Sequence, residues 1–245
     1  MKRLIINADD FGMCEGVTRG IIQCHCDGVL TSTTLMTNIP YAAEALKMAA
    51  QYPNLGVGIH LVLTCGRPLT LGNKSFTDEE GNFRKLNSYP NKKPVVDLDE
   101  VYNEWHAQIE LFIKLAGKKP THIDSHHHTH MEPGLIDVAA RLAREYDLPM
   151  RLAEDIQHDY EFVPLRRGFN GDVKDFIKFC DENLDKEGTQ ELMCHPAFID
   201  EHLYTNSSYA IPRIFEMKFI RSPEFKQWLE DHNVELINFK DIKKR

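Results

Sequence analysis

The stretch that most constrains the fold is Thr121–Met131, THIDSHHHTHM, which packs His122, His126, His127, His128, His130 and Asp124 into eleven residues. Its first part, Thr121–Asp124, alternates like a short strand entering a core, and the histidines follow where that strand would end. Pro133-Gly134 then punctuates a turn before the next periodic segment. Imidazole is the commonest metal-binding side chain and titrates near neutrality, so crowding it at a strand end is costly unless it is used. A solvated His-rich loop is the alternative. The run is internal and irregular, unlike an expression tag.

The same rhythm recurs along the chain. Leu4-Ile5-Ile6 reads as a buried strand, with Asn7-Ala8-Asp9-Asp10-Phe11-Gly12 at its carboxyl end. Strand neighbours point to opposite faces, so only one of the two aspartates faces a given site unless the backbone turns. Leu55–Leu61 is a further strand with His60 near its end, and Glu191–Cys194 ends in His195-Pro196. A lone strand histidine is ordinarily a core residue; its recurrence at strand ends argues for use. Further strands are expected around Ser32–Met36, at Pro149–Leu152 and at Val234–Asn238.

Helices are expected at about Glu15–Asp27, Ala42–Tyr52, Gly134–Tyr146 and Asp172–Leu184, and from Ser222-Pro223 to about Asp231. Another runs through Ala116, capped by Asp97 or Asp99 and closed by Gly117. Gly28 suits a left-handed position after the first helix. About seven strands alternating with helices predict an α/β fold with a parallel sheet, and 245 residues suit a barrel in one domain. In such barrels the carboxyl-terminal face carries the active site, where Asp9, Asp10, His60, His126 and His195 would all fall. Thr64–Pro94 lacks a clear period and reads as a loop insertion at about 64–96, either covering a substrate or an ordinary surface excursion.

A net charge of −8 without a basic stripe argues against nucleic acid as a partner. No apolar run approaches a membrane span, and the amino terminus lacks a signal-peptide pattern. The six cysteines (Cys14, Cys24, Cys26, Cys65, Cys180, Cys194) form no CxxC pair and read as reduced, in the cytoplasm. The oligomeric state is open, with a homodimer among the options.

One aspartate and two histidines with coordination positions to spare describe a catalytic metal site rather than a structural one. A divalent ion there would polarise a carbonyl and activate water. The second carboxylate of the Asp9-Asp10 pair can take a proton from that water, and His195 is the natural donor to a leaving group. Metal-assisted hydrolysis of an amide or ester follows. Two alternatives stand beside it: another metallohydrolase such as a phosphoesterase, and a non-catalytic sugar-binding protein.

NADDFG at Asn7–Gly12, TSTTLM at Thr31–Met36, GIHLVLT at Gly58–Thr64, the histidine motif at Thr121–Met131 and CHPA at Cys194–Ala197 stand in an order similar to the YdjC-like carbohydrate deacetylases. Within that family they most resemble its chitooligosaccharide deacetylases. The resemblance implies a distorted (β/α) barrel. It also implies hydrolysis of the N-acetyl group of a chitooligosaccharide, such as chitobiose or its 6-phosphate, a step of chitin degradation. Carried over residue by residue, it implies Asp10, His60 and His126 as metal ligands, Asp9 as general base and His195 as general acid. It leaves the ion open between Mg²⁺ and Zn²⁺. Arg151 is a candidate for orienting a carboxylate or phosphate of the substrate, with a structural ion pair as the alternative. His128 and His130 are placed as substrate contacts; His130 stands four residues after His126 and could displace a ligand on a helical turn. Asp124, two residues before His126, is placed to orient a ligand.

Overall fold

The computed structural model describes residues 1–151, 160–165 and 171–242. Among these it has seven strands, β1 (Lys2–Phe11), β2 (Ser32–Leu35), β3 (Gly56–Leu61), β4 (Ile123–Ser125), β5 (Glu161–Pro164), β6 (Gly188–Cys194) and β7 (Val234–Leu236). Every pairing is parallel, in the order β4-β3-β2-β1-β6-β5, with β7 also on β1. β7 pairs with the first residues of β1 and β2 with the last ones, so the two share β1 end to end. The sheet curls into a half-barrel, consistent with a distorted (β/α) barrel. Because all strands run the same way, their carboxyl ends open on a single face.

The helices are α1 (Glu15–Asp27), α2 (Ala42–Ala49), α3 (Leu98–Ala116), α4 (Leu135–Tyr146), α5 (Val173–Asn183), α6 (Glu201–Asn206), α7 (Ile211–Ile220) and α8 (Pro223–Asp231). Their apolar stripes cover the sheet; Val17 and Ile21 of α1 and Trp105, Ile109 and Phe112 of α3 are fully buried. Capping follows the side-chain chemistry. Asp97, rather than Asp99, accepts from the first-turn amides of α3, and Gly117 closes it with φ +67°. Ser222 accepts from the Phe225 amide to start α8. Gly28 departs from expectation: its φ is −111°, and the site needs glycine because a Cβ would lie 2.4 Å from the Cys24 carbonyl oxygen.

β5, α6 and α7 were not legible in the pattern. Of the strand expected at Pro149–Leu152, Met150 makes a single parallel bridge to Ile123, and Leu152 lies outside the described residues. The stretch from Thr64 to Pro94 is aperiodic but tied down. Glu104 of α3 accepts from the Leu69 and Thr70 amides, Glu100 from those of Lys74 and Ser75, and Phe76 and Phe83 are buried beneath it. No helix among the described residues is long and apolar enough to cross a membrane.

Candidate metal centre and active site

The site begins with a break in β1. Its register against β2 shifts between Ala8 and Phe11, and Asp10 between them adopts φ +71°. An L-residue there costs on the order of 1–2 kcal/mol, least for Asn and Asp. The kink defeats strand alternation, so Asp9 and Asp10 are both buried beside His60. His127 and His128, after β4, are also left-handed, at φ +57° and +55°. Three of the chain's left-handed non-glycine residues thus fall at one place, where strain is most often stored for use.

Asp10 Oδ1 lies 3.3 Å from His60 Nε2 and 2.8 Å from His126 Nδ1. Donor atoms around a cation at about 2.1 Å are spaced about 3.0–3.4 Å apart, so these three fit one ion. The set is buried, offers one oxygen and two nitrogens, and leaves positions open for water and substrate. Asp124 at the end of β4 lies 2.6 Å from His60 Nδ1 and accepts from Thr34 Oγ1 at 2.9 Å. A carboxylate behind a histidine fixes its tautomer and turns the other nitrogen outward, as in metal sites. Burial opposes a charge on His60, but Asp124 and Asp10 outweigh it and hold the imidazolium well above its ordinary range.

Asp10 Oδ2 accepts from Arg213 Nη2 at 2.6 Å. Burial disfavours the Asp10 charge, yet Arg213 and then His126 keep it ionised, well below the usual carboxylate range. Asp9, His60 and Asp124 form a second close group. That group is a poor second metal site, because Arg151 Nη2 sits 2.7 Å from Asp9 Oδ1 and 2.9 Å from Asp124 Oδ2.

Of the two readings of Arg151, the structure shows the ion pair. The arginine is wholly buried, with Nη1 and Nη2 donating to the two Asp9 oxygens at 2.8 and 2.7 Å and Nε donating to Glu191 Oε1 at 2.9 Å. It orients a carboxylate of the protein, not of a substrate. Burial works against the Asp9 charge, but Arg151 overrides it and holds the carboxyl far down. Asn7 Nδ2 donates to Asp9 Oδ1 as well, at 2.9 Å, which leaves Oδ2 the less committed oxygen. His130 corrects an expectation: it is buried, with Nδ1 at Ser125 Oγ and Nε2 at the Arg151 carbonyl oxygen, so neither nitrogen is left for a sugar or an ion. His128 is half-buried against the Phe162 ring.

His195 follows β6 and keeps a quarter of its side chain exposed. Its backbone N–H donates to Glu216, which also accepts from the Tyr209 hydroxyl, and the Tyr209 ring meets the imidazole edge-on at 5.4 Å. Burial, and then Arg213, press His195 below its ordinary range, and burial raises Glu216 to about 7. Tyr209, Arg213 and Glu216 escaped the sequence reading. Arg213 and Glu216 stand three residues apart on α7, with Tyr209 in the turn before it, and that i, i+3 pair of charges was the available signal.

These observations define the class: a parallel half-barrel whose strand ends gather an aspartate–histidine–histidine donor set, with a second, arginine-clamped aspartate at its side. The chain belongs to the YdjC-like protein family, whose model matches residues 3–231. A carbohydrate deacetylase of Brevibacillus brevis is 38% identical over 256 residues, covering 98% of this chain and 99% of that one. A chitooligosaccharide deacetylase of Yersinia pestis is 41% identical over 252 residues, with the same coverage of 98% and 99%. A solved structure from Enterococcus faecalis, provisionally named for cellobiose-phosphate cleavage, is 38% identical, covers 98% of each chain and superposes with a TM-score of 0.86.

Proposed function

We propose that the chain hydrolyses the N-acetyl group of chitooligosaccharides, chitobiose or its 6-phosphate, releasing acetate. One divalent ion, Mg²⁺ or Zn²⁺, would be held by Asp10, His60 and His126. The single observation that carries this reading is the meeting of those three donors beside Asp9, which the Arg151 guanidinium holds charged. The names of the relatives support the substrate class.

When bound, the ion supplies Lewis acidity towards the acetyl carbonyl and acidifies water. Asp9 Oδ2, the less committed oxygen, accepts the proton of the attacking water in this reading. Its depressed proton affinity keeps it ready as an anion and makes it a transient carrier rather than a store. His195 donates to the departing amine. At rest its imidazole is neutral, so it collects that proton within the cycle instead of holding it in advance. His128, half-buried against Phe162, is assigned to the sugar.

Acetate release from N,N′-diacetylchitobiose and from its 6-phosphate, set beside phosphate release from the latter, tests the assignment. Acetate from at least one sugar without phosphate is the expected result. Phosphate alone would replace the deacetylase with a phosphoesterase.

A further inference from the structure

Arg213 has a buried donor without a hydrogen-bond partner among the described residues. The residue is 3% exposed and lies in α7, outside every motif that carries the family resemblance. Nη2 donates to Asp10 Oδ2 at 2.6 Å and Nε to the Tyr209 carbonyl at 2.8 Å. Nη1 is buried and has no hydrogen-bond partner among the described residues. A buried guanidinium N–H left unpaired is costly, so a group from outside the chain, a ligand or a water, is called for to complete it. Two neighbours locate it. Arg213 Nη2 is on Asp10, a proposed metal ligand, and Glu216, three residues on, accepts from the backbone N–H of His195, the proposed acid. Glu216, one turn on in α7, accepts from the His195 backbone N–H, and Tyr209, in the turn before α7, meets its ring.

We infer that Arg213 Nη1 is the protein's own contact for the acetyl oxygen: it donates to that oxygen as it becomes negative and then holds the acetate product. This rests on the deacetylase reading. Asp9 takes a proton from the water as the water oxygen bonds to the acetyl carbon, and the carbonyl π pair moves onto the oxygen facing Nη1. When the pair returns, the C–N bond breaks, its electrons leave with the amine nitrogen, which takes a proton from His195, and the acid product loses its remaining proton to solvent. Acetate remains, with one oxygen already on Arg213. Donors aimed at charge that develops in the transition state typically contribute about 10²–10³ in kcat. A substrate carbonyl, being neutral, gains little from Nη1, so the effect belongs in kcat more than in KM.

The test uses the full-length, metal-loaded protein with Arg213→Lys and Arg213→Met. Lys keeps a buried charge near Asp10 but not the fork, which guards against a Met variant that fails to fold. Both variants should retain the ion. kcat on N,N′-diacetylchitobiose should fall about 10²–10³ with KM within a few-fold, and inhibition by added acetate should be lost. Millimolar guanidinium should restore part of kcat to the Met variant and nothing to the wild type. Acetate binding, read by calorimetry, is independent of turnover. If wild type binds acetate and Arg213→Lys does not, the site stands even should no sugar be deacetylated. Acetate binding of equal strength in all three proteins, or loss of the ion with no guanidinium rescue, would overturn the inference and leave Arg213 as a prop for Asp10.

Discussion

His60 Nδ1 lies 2.6 Å from Asp124 Oδ1, and this contact turns the opposite ring nitrogen towards Asp10. The two residues are adjacent partners across β3 and β4, so the sheet register itself sets the orientation. Carboxylates behind metal-bound histidines typically contribute 10–100-fold in metal affinity. Asp124→Ala should therefore weaken metal binding about 10–100-fold without changing the donor set. Equilibrium dialysis measures this, and an unchanged affinity would remove Asp124 from the site.

Arg151 faces three buried carboxylates, Asp9, Asp124 and Glu191. Removing one partner of a buried charge cluster leaves the others uncompensated, at a cost of about 3–5 kcal/mol. Arg151→Met should lose stability on that scale in urea unfolding, and a loss below about 1 kcal/mol would contradict it.

Asp9→Asn keeps a polar group beside Arg151 but cannot take a proton. Metal content should stay at the wild-type level while turnover falls about 10²–10⁴-fold. Loss of the ion in this variant would make Asp9 a ligand.

His195 should show its role through the leaving group. An amine needs a proton to depart, whereas an activated aryl ester leaves without one. His195→Ala should be severe on the amide and mild on the ester, and Asp9→Asn severe on both. Equal losses on the two substrates for His195→Ala would make it a substrate contact instead.

Glu216 links the same corner to pH. Burial raises it to about 7, against an ordinary 4.5 in the unfolded chain. Between those values the unfolded chain has released its proton while the folded one keeps it. Rising pH therefore favours unfolding across the window and is neutral above it. Glu216→Gln lacks this penalty, so its Tm relative to wild type should rise by several degrees from pH 4.5 to 7, on the order of 3 kcal/mol. A difference that stays flat through the window would refute the assignment.

Much of this was legible in the sequence because strand ends are punctuated. Apolar runs that stop at Asp10, His60, His126 and His195 announce one face of a parallel sheet, and the alternation of strands with helices announces the curvature. What stayed hidden has physical causes. The left-handed Asp10 reverses side-chain direction within a strand, which no period-two pattern reveals. In α7, Ile211 and Ile214 are 50% and 44% exposed while Arg213 and Glu216 are buried, so the binary pattern is inverted where the site needs charge. β5 carries Glu161 and Pro164 within four residues, which reads as a turn. Arg151 was visible, but whether its fork meets a substrate or Asp9 depends on contacts between residues distant in sequence.

The most direct test of the central claim is a metal titration of acetate release. Ion-depleted protein is reconstituted stepwise with Mg²⁺ or Zn²⁺, and ions per chain and acetate from N,N′-diacetylchitobiose are measured on the same samples. For wild type, acetate release should rise in proportion to occupancy and level off at one ion per chain, while His126→Ala should neither bind tightly nor release acetate. Full acetate release from ion-depleted wild type, or one tightly bound ion in His126→Ala with undiminished activity, would contradict the account.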